Sequence, residues 1–276
     1  MAAAILADCP DYVELARATR AGLTSPALAG WMVWPLPDAV ATTAVDSGDA
    51  RCFDDGLALL SALTPRLTSE FALRIFLNAD LDRTLAVVRT WTDHGGDAVR
   101  RLASEGTRPK LPWARQVKGL ITDPTLTRPI LDALHLDESA FVRRSVANHL
   151  NDVSRLNPAA AVSTAESWAK RPGPHTASTI RHAMRSLIKA GDARALALLG
   201  FTATLADLQV SGPAVDRRSI SLGEAITFTA DVTNTSARTA TLVIDYIVHH
   251  RKANGTRPLR CSNSQPGASN PVAPSP

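Results

Sequence analysis

The chain has 276 residues, of which 45% are hydrophobic and 20% charged, and its formal net charge is +4 at pH 7. This composition is typical of a soluble globular protein and excludes a disordered or fibrous chain. No apolar run approaches the roughly 18 residues that a membrane-spanning helix needs, so we expect no membrane association.

The N-terminal part of the chain alternates between helical and irregular patterns. Residues Asp11 to Ala21 predict a helix. The segment from Trp31 to Pro37 is apolar and bounded by proline, and we expect Trp31 and Trp34 to be buried core anchors. Ala41 to Asp55 is polar and irregular, which predicts a loop.

From Gly56 to Leu199 the pattern predicts a series of helices separated by short turns. The predicted helices are Gly56 to Leu63, one capped by Ser69, Leu81 to Trp91, one that begins at Asp97, Trp113 to Thr122, Leu126 to Leu134, Ser139 to Asn151, Pro158 to Arg171, one that starts at Thr176 or Ser178 and stops at Gly191, and Asp192 to Leu199.

A weak internal repeat runs through these helices. Similar strings begin at Ala98, Phe141 and Thr179, and they recur at a spacing near forty residues, about the period of HEAT-like helix pairs. Each string starts a helix that a second helix follows. We therefore predict a mainly α protein whose residues 1–203 form a HEAT-like helical-repeat solenoid, an α–α superhelix with one concave surface.

The sequence pattern changes from helical to strand-like after Phe201. Strands are predicted at Ala206 to Val210, Arg218 to Leu222, Ala225 to Thr233 and Thr239 to His249, because these segments are rich in β-branched residues and separated by turn residues. We expect residues 204–260 to form a small immunoglobulin-like β-sandwich. Residues 261–276 are rich in Pro, Ser and Ala and are predicted to be disordered.

The segment from Asp97 to Trp113 holds the most informative charge pattern. Asp97 is predicted to cap a short helix whose Val99, Leu102 and Ala103 form the buried stripe. Glu105 lies on the opposite, exposed face among basic side chains. A lone acid in a basic setting suits a site for an anionic polymer, but an i, i+4 pair of Arg101 and Glu105 on a solvated face explains the same spacing.

Basic residues are concentrated around this helix and along two later ones, so a nucleic-acid partner is plausible on charge. The first group is Arg100, Arg101, Arg108, Lys110, Arg115 and Lys118. Arg143 and Arg144 recur at the second repeat. The later helices each place polar residues on one face, namely Arg144, Asn148, Asn151 and Asp152 on one and Arg181, Arg185 and Lys189 on the other. We expect these cations and amides to follow a phosphate backbone.

Metal chemistry has no support in the sequence. The three cysteines, Cys9, Cys52 and Cys261, are scattered, and neither they nor the histidines have the spacing of a zinc site. We therefore expect reduced thiols, no metal and no other cofactor.

Three long strings resemble the AlkC branch of the HEAT-like DNA glycosylases, within the AlkC/AlkD superfamily. They are Arg100 to Pro109, Phe141 to Asp152 and Arg181 to Gly200. The β region is similar to the C-terminal immunoglobulin-like domain of that family, most closely at Asp245 to His250 and Lys252 to Gly255. Family members usually have more helical sequence upstream and a different last strand, so we expect the β-sandwich to lack an edge strand.

The resemblance implies a monofunctional enzyme that hydrolyses the N-glycosidic bond of cationic alkylated bases, such as 3-methyladenine and 3-methylcytosine, in duplex DNA without base flipping. It assigns catalytic roles to Glu105, Glu70 and Asp152 as an acidic cluster, and to Trp113 as a ring beside the exposed sugar. It also implies a monomer that binds alkylated double-stranded DNA in base excision repair, in the cytoplasm at the nucleoid.

Two alternatives stay open on the sequence alone. One is a HEAT-like DNA-binding or scaffold protein without catalysis. The other is a helical-repeat module for protein interaction, which the basic face disfavours.

Overall fold

The computed structural model describes residues 2–201, 208–235, 240–241, 246–249, 259–262 and 271–272. The chain divides into two compact units, residues 1–190 and residues 191–276. The first unit is helical, and the second contains one short helix followed by antiparallel strands, which confirms the predicted fold class. None of the described helices is long and apolar enough to cross a membrane.

The helices follow one another with short connections. They are α1 (Ala2–Asp8), α2 (Tyr12–Leu23), α3 (Pro35–Asp46), α4 (Ala50–Leu63), α5 (Leu73–Ala79), α6 (Leu81–Thr90), α7 (Asp97–Glu105), α8 (Lys118–Thr122), α9 (Arg128–Leu134), α10 (Ala140–Ser154), α11 (Pro158–Ala169), α12 (Thr176–Ala183), α13 (Arg185–Lys189) and α14 (Ala193–Ala197). Short 3₁₀ helices span Gly30–Val33, Trp91–Asp93 and Pro124–Thr127.

Side-chain caps explain where several helices begin. Asp11, Asp49, Asp80 and Asn157 each accept a hydrogen bond from a backbone N–H in the first turn of the helix that follows. These N–H groups have no partner within the helix, so a capping oxygen stabilises the start. Proline supplies a second signal at the first position of α3 and α11, where its missing N–H costs nothing.

The helices of the first unit pack against neighbours that are close in the chain. In the N-terminal half, α3 packs against α4 and α5, and α5 packs against α6. Farther along, α10 packs against α7, α9, α11 and α12. Helix α10 is therefore central, and Val142, Val146 and Leu150 on it are almost completely buried.

The loop predicted from Ala41 to Asp55 is wrong. This region is helical except for a short break at residues 47–49 between α3 and α4. Polar residues occur here because they form caps and outer faces. Asp49 caps α4, and the buried positions are filled by small residues such as Ala41 and Ala44, whose size gave no strong apolar signal.

The prediction that Trp31 and Trp34 are buried core anchors is also wrong. The 3₁₀ helix Gly30–Val33 turns Val33 into the core and leaves Trp31 76% and Trp34 36% exposed. The two rings stack with centroids 5.4 Å apart, and Trp34 lies 5.0 Å from the ring of Phe71. They form an aromatic surface patch instead.

Two predicted helix starts shift for local reasons. The helix predicted from Trp113 begins at Lys118, because residues 113–117 follow Pro112 in an extended and irregular course. Ser69 does not cap α5, which starts at Leu73. Its hydroxyl donates to the carbonyl of Leu60 instead and ties the preceding turn to α4.

The described residues of the second unit form three antiparallel strand pairs. β1 (Leu208–Val215) pairs with β2 (Phe228–Asn234), β4 (Tyr246–His249) with β5 (Leu259–Ser262), and β3 (Ala240–Thr241) with β6 (Pro271–Val272). The register of β1 shifts between Ser211 and Ala214, where the Gly-Pro pair interrupts the ladder.

The predicted strand Arg218 to Leu222 is wrong, because these residues lie in the connection between β1 and β2. Part of the predicted strand Thr239 to His249 falls outside the described residues. The missing edge strand and the disordered tail at 261–276 stay predictions, since most residues after His249 also lie outside them.

The crossing of α3, α4 and α5 requires glycine at position 56. A Cβ atom added there would lie 2.7 Å from the Phe76 ring and 2.8 Å from the Ala44 methyl group. We predict that Gly56→Ala lowers the free energy of unfolding by roughly 1–3 kcal/mol, although alanine favours helix more than glycine does.

Urea denaturation measures this difference. Gly95→Ala is the matched control, because a Cβ there meets nothing within 4 Å. An unchanged midpoint for Gly56→Ala would show that the three helices separate at little cost.

Candidate active site

Helix α7 carries the central acid at its last position. Its N-cap is Gly96 and not Asp97 as predicted; the Asp97 carboxylate accepts a hydrogen bond of 2.8 Å from the Ser139 hydroxyl. The predicted buried stripe of Val99, Leu102 and Ala103 is confirmed.

Three acids and two arginines form one connected group, which we call the acid–arginine network: Glu70, Arg101, Glu105, Arg108 and Asp152. Arg108 donates to Asp152 over 2.8 Å and to Glu105 over 2.6 Å. Arg101 donates to Glu70 over 2.6 Å and lies 3.8 Å from the second oxygen of Glu105. The structure thus brings together the three acids predicted to act together.

The network is buried, which corrects the expectation that Glu105 lies on an exposed face. Glu105 is 6% exposed, Glu70 8% and Asp152 3%. Burial results from the turn after α7, which folds Arg108 back over the end of the helix and against α10. The predicted pair of Arg101 and Glu105 exists, but it is the longest contact in the network and is not on a solvated face.

The charges of the network are nearly balanced. Burial lowers the pKa of Arg108, but hydrogen bonds and charges of Asp152 and Glu105 outweigh burial and raise it above its ordinary value. Arg108 is therefore a permanent cation. The network contains three carboxyl groups and two guanidinium groups, so acids outnumber bases, and carboxylates can stabilise positive charge that develops beside them.

Arg74 holds the turn that carries Arg108. This side chain of α5 is 1% exposed, and it donates to the carbonyls of Arg108 (2.7 Å), Gly106 (3.2 Å) and Arg115 (2.8 Å). Burial chiefly, together with the positive charge of Arg108, lowers the pKa of Arg74 to about 10, against the opposing effect of Asp152. Arg74 thus fixes the backbone of the turn while the side chain of Arg108 binds the acids.

His149 holds the end of α7 from the other side. Its Nδ1 lies 2.8 Å from the carbonyl oxygen of Ser104, and its Nε2 lies 2.9 Å from the hydroxyl of Thr127. A carbonyl can only accept, so the hydrogen-bond pattern assigns the ring proton to Nδ1. Burial chiefly lowers the pKa of His149 to about 3, with Arg108 and Arg74 adding to the effect, so the ring is neutral at neutral pH.

Trp113 stands outside this buried group. Its side chain is 99% exposed, and its φ of 61° is the one positive value of a non-glycine residue in the described part of the chain. Such a conformation costs about 1 kcal/mol or more, and strain of this kind concentrates at functional sites. Arg74 donates a hydrogen bond to the carbonyl of Arg115, two residues after Trp113. The exposed ring therefore belongs to an anchored turn.

Two of the predicted DNA-binding arginines already have several partners in the protein. Arg100 forms a bidentate pair with Asp137 over 2.6 and 3.1 Å and also donates to the carbonyls of His94 and Gly95. Arg143 donates to two carbonyls of the turn before α10, over 2.6 and 2.7 Å. These contacts favour structural roles, and DNA binding by either residue stays a prediction.

Other predicted residues remain available. Lys110, Arg144, Arg181 and Lys189 are exposed and form no ion pair with any described residue. Asn148 accepts from Arg185 over 3.2 Å and lies 2.9 Å from the His182 ring nitrogen. Asn151 is buried and accepts from the backbone N–H of Ser186 over 3.3 Å.

Sequence reasoning missed several supporting residues. Arg74, His149, Thr68 and Phe141 all contact the site: Thr68 donates to Glu70 over 2.8 Å, and the Phe141 ring lies 4.7 Å from the Arg101 guanidinium. A usable signal existed for two of them. Arg74 and His149 are polar residues within the apolar stripes of α5 and α10, where a polar group needs a buried partner. Within the described residues no group of three or more His, Cys, Asp or Glu could hold a metal ion.

Comparison with known proteins found a similar family and a similar relative. Residues 209–261 match a family described as "Uncharacterised protein YhaZ, C-terminal Ig-like domain". The "Uncharacterized protein YhaZ" of Bacillus subtilis (strain 168) is 38% identical over 205 residues, which cover 74% of this chain and 56% of that protein.

A solved structure shows the same fold. It is Pseudomonas fluorescens alkylpurine DNA glycosylase AlkC bound to DNA containing an abasic site analog, with a TM-score of 0.74 and 38% sequence identity. The similarity covers 83% of this chain and 63% of that one. The present chain therefore spans less than two thirds of either relative.

The buried neutral His149 predicts a specific dependence of stability on pH. The unfolded chain takes up a proton at this residue below pH 6.5, whereas the folded protein does so only near pH 3. Its contribution is therefore present above pH 6.5 and lost as the pH falls. We predict a loss of about 2 kcal/mol from this residue between about pH 7 and about pH 5.

His149→Asn removes the titration, and its amide can still donate to the Ser104 carbonyl. The variant should be less stable than the wild type at neutral pH and should lose less stability on acidification, as measured by urea denaturation at each pH. Parallel pH dependences in the two proteins would mean that His149 is charged or exposed.

Proposed function

Because the chain is similar in sequence and in fold to an AlkC glycosylase, we propose that it is a DNA glycosylase that acts on alkylated bases. The observation that best supports this proposal is the acid–arginine network beside the exposed Trp113. The network supplies buried acids, and Arg74 ties the backbone at Arg108 to the backbone at Arg115, in the same segment as the exposed Trp113.

The chemistry follows from the bond to be broken. An alkylated base such as 3-methyladenine or 3-methylcytosine is already cationic, so it leaves with little help from a general acid. Positive charge then develops on the deoxyribose, where carboxylates stabilise it and orient water. Glu105 is the central acid of the network, and we assign it this role, with Glu70 and Asp152 in support.

The arginines make hydrolysis by water the favoured route. Arg101 and Arg108 carry guanidinium groups, which do not form a Schiff base with the sugar as a lysine amine would. A network of carboxylates and guanidiniums therefore supports a monofunctional enzyme.

The proposed enzyme need not flip the base. The sugar has to reach the acids at the end of α7, and Trp113 is placed to contact it from outside. Arg144, Arg181 and Lys189 supply exposed positive charge that can follow a bent backbone. We propose that backbone contacts of this kind expose the lesion nucleotide.

One observation favours a second candidate, a DNA-binding protein without catalysis. All three acids are ion-paired, and Glu105 contacts both arginines, which leaves less free negative charge than an unpaired acid would offer. Direct measurement of base release separates the two candidates.

We predict that Glu105→Gln reduces release of 3-methyladenine from methylated duplex DNA by roughly 100-fold or more, because it removes the central negative charge while keeping the shape. Single-turnover release and DNA binding should be measured together. Since Glu105 is buried between two arginines, the variant should also unfold at lower denaturant concentration.

Glu138→Gln is the control, because Glu138 is an exposed acid just before α10. Wild-type release by Glu105→Gln, with normal DNA binding, removes Glu105 from the mechanism. Absence of release from the wild-type protein, with DNA binding retained, supports the second candidate.

Arg143 and Arg144 are neighbours with different surroundings, so they form a matched pair. Arg144 is exposed with no ion pair among the described residues, whereas Arg143 donates to the carbonyls of Asp137 and Glu138. We predict that Arg144→Ala reduces the salt slope of DNA binding by about one unit, and that Arg143→Ala mainly lowers stability.

Binding across a range of salt concentrations and denaturation of each variant test this prediction. Equal salt slopes for Arg144→Ala and the wild type would place Arg144 away from the DNA.

A further inference from the structure

Phe141 is an exposed aromatic residue that contacts the acid–arginine network. It is the second residue of α10, and its side chain is 51% exposed, whereas the next residue, Val142, is buried and anchors the start of the helix. A single exposed hydrophobic residue needs no explanation by itself. The guanidinium carbon of Arg101, however, lies over the Phe141 ring, 4.7 Å from its centroid. One face of the ring is therefore in cation–π contact with a cation of the network.

Arg101 binds one acid of the network and only approaches another. Its Nη1 donates to Glu70 Oε2 over 2.6 Å and to the Thr68 hydroxyl oxygen over 3.4 Å. The Thr68 hydroxyl in turn donates to the same oxygen of Glu70 over 2.8 Å. The other terminal nitrogen, Nη2, lies 3.8 Å from Glu105 Oε2, which is too far for a hydrogen bond. The hydrogen bonds of Arg101 within the network therefore all come from Nη1 and go toward Glu70.

The two oxygens of Glu105 consequently have different surroundings. Oε1 accepts a hydrogen bond of 2.6 Å from Arg108, whereas Oε2 accepts none from the described residues. Oε2 is not one of the fully buried side-chain atoms that lack a partner, so it keeps contact with solvent. An unbonded oxygen of this kind can face positive charge or a water molecule during the reaction. The negative charge that Glu105 offers thus depends on Arg101 keeping its distance from Oε2.

Phe141 is placed to maintain that distance. A displacement of Nη2 by roughly 1 Å would convert the 3.8 Å approach into a charge-assisted hydrogen bond and neutralise Oε2. The contacts with Glu70 and Thr68 hold only Nη1, and they leave the guanidinium free to turn about that nitrogen. The ring of Phe141 lies against the face of the guanidinium and restricts this turning.

We propose that Phe141 is a positioning residue of the active site, which holds the guanidinium of Arg101 on Glu70 and thereby keeps the second oxygen of Glu105 free. This proposal rests on the proposed function and deepens it, because it names the residue that sets the charge available at the central acid. It also explains how Glu105 can contact both arginines and still offer negative charge. Arg108 binds one oxygen, and Arg101 is restrained from binding the other.

The test compares Phe141→Leu, which keeps an apolar side chain but loses the aromatic face, with Phe141→Tyr, which keeps the face. Single-turnover release of 3-methyladenine from methylated duplex DNA gives the rate constant, and titration of a duplex with an abasic-site analogue gives the affinity. We expect Phe141→Leu to lower the rate constant roughly fivefold at unchanged affinity, and Phe141→Tyr to restore the wild-type rate constant.

Leu136→Ala is the matched control, because Leu136 is an apolar residue of equal exposure (50%) outside the network. It should keep the wild-type rate constant. Phe141 is exposed, so its variants should fold, and melting curves check each protein. A lower affinity of Phe141→Leu with an unchanged rate constant overturns the proposal, since Phe141 would then contact the DNA itself.

Arg101→Met supplies a double-mutant cycle, because it removes the group through which Phe141 is proposed to act. In that background Phe141→Leu should have no further effect on the rate constant. Full additivity of the two changes would mean that Phe141 acts independently of Arg101, which also overturns the proposal.

A measurement on the free protein separates failure of this proposal from failure of the proposed function. The guanidinium N–H signals of Arg101 in proton–nitrogen NMR spectra are assigned by their loss in Arg101→Met. They should shift in Phe141→Leu, which has no aromatic ring, and stay near their wild-type positions in Phe141→Tyr. Signals that do not respond to Phe141→Leu overturn the proposal. A clear response in a protein that releases no base contradicts glycosylase activity and leaves the positioning of Arg101 by Phe141 intact.

Discussion

The bidentate role of Arg108 is the interaction on which the rest of the site depends. One guanidinium binds Glu105 at the end of α7 and Asp152 near the end of α10, and thereby joins two helices that would otherwise present like charges to each other. The pair is buried, where loss of one partner costs far more than a surface ion pair contributes. The hydrogen bonds of Arg108 therefore both hold α7 against α10 and position the acids.

Hydrogen bonds to backbone carbonyls keep this ionic group in place. Arg74 binds the carbonyls after α7, and His149 binds the carbonyl just before Glu105. Both lie on the buried faces of their helices, where an unpaired polar group would be costly. The acids are thus positioned by groups whose hydrogen bonds go to the backbone, while the carboxylates bind Arg101 and Arg108.

Much of this could be predicted from the sequence, but the predictable part is local. Helix patterns predicted the helical repeat, β-branched segments predicted the β region, and the family resemblance named the three acids that the structure brings together. Burial of Glu105 was missed because it depends on how the turn after α7 folds against α10. Trp31 was misplaced because periodicity does not reveal which side of a 3₁₀ turn faces the core. Roles that depend on contacts between distant segments, such as that of Arg74, could not be read from spacing.

The contacts of Arg74 have a consequence for how this region can change in related sequences. It holds three carbonyls spread from Gly106 to Arg115, and carbonyls are present whatever the side chains are. Exposed side chains of this segment can therefore change, whereas Gly106, where a Cβ atom would lie 2.5 Å from Leu73, and the buried Thr107, Arg108 and Leu111 cannot. An insertion or deletion of even one residue would shift the carbonyls out of register with the guanidinium. Relatives that share the site should vary in the composition of this segment and keep its length.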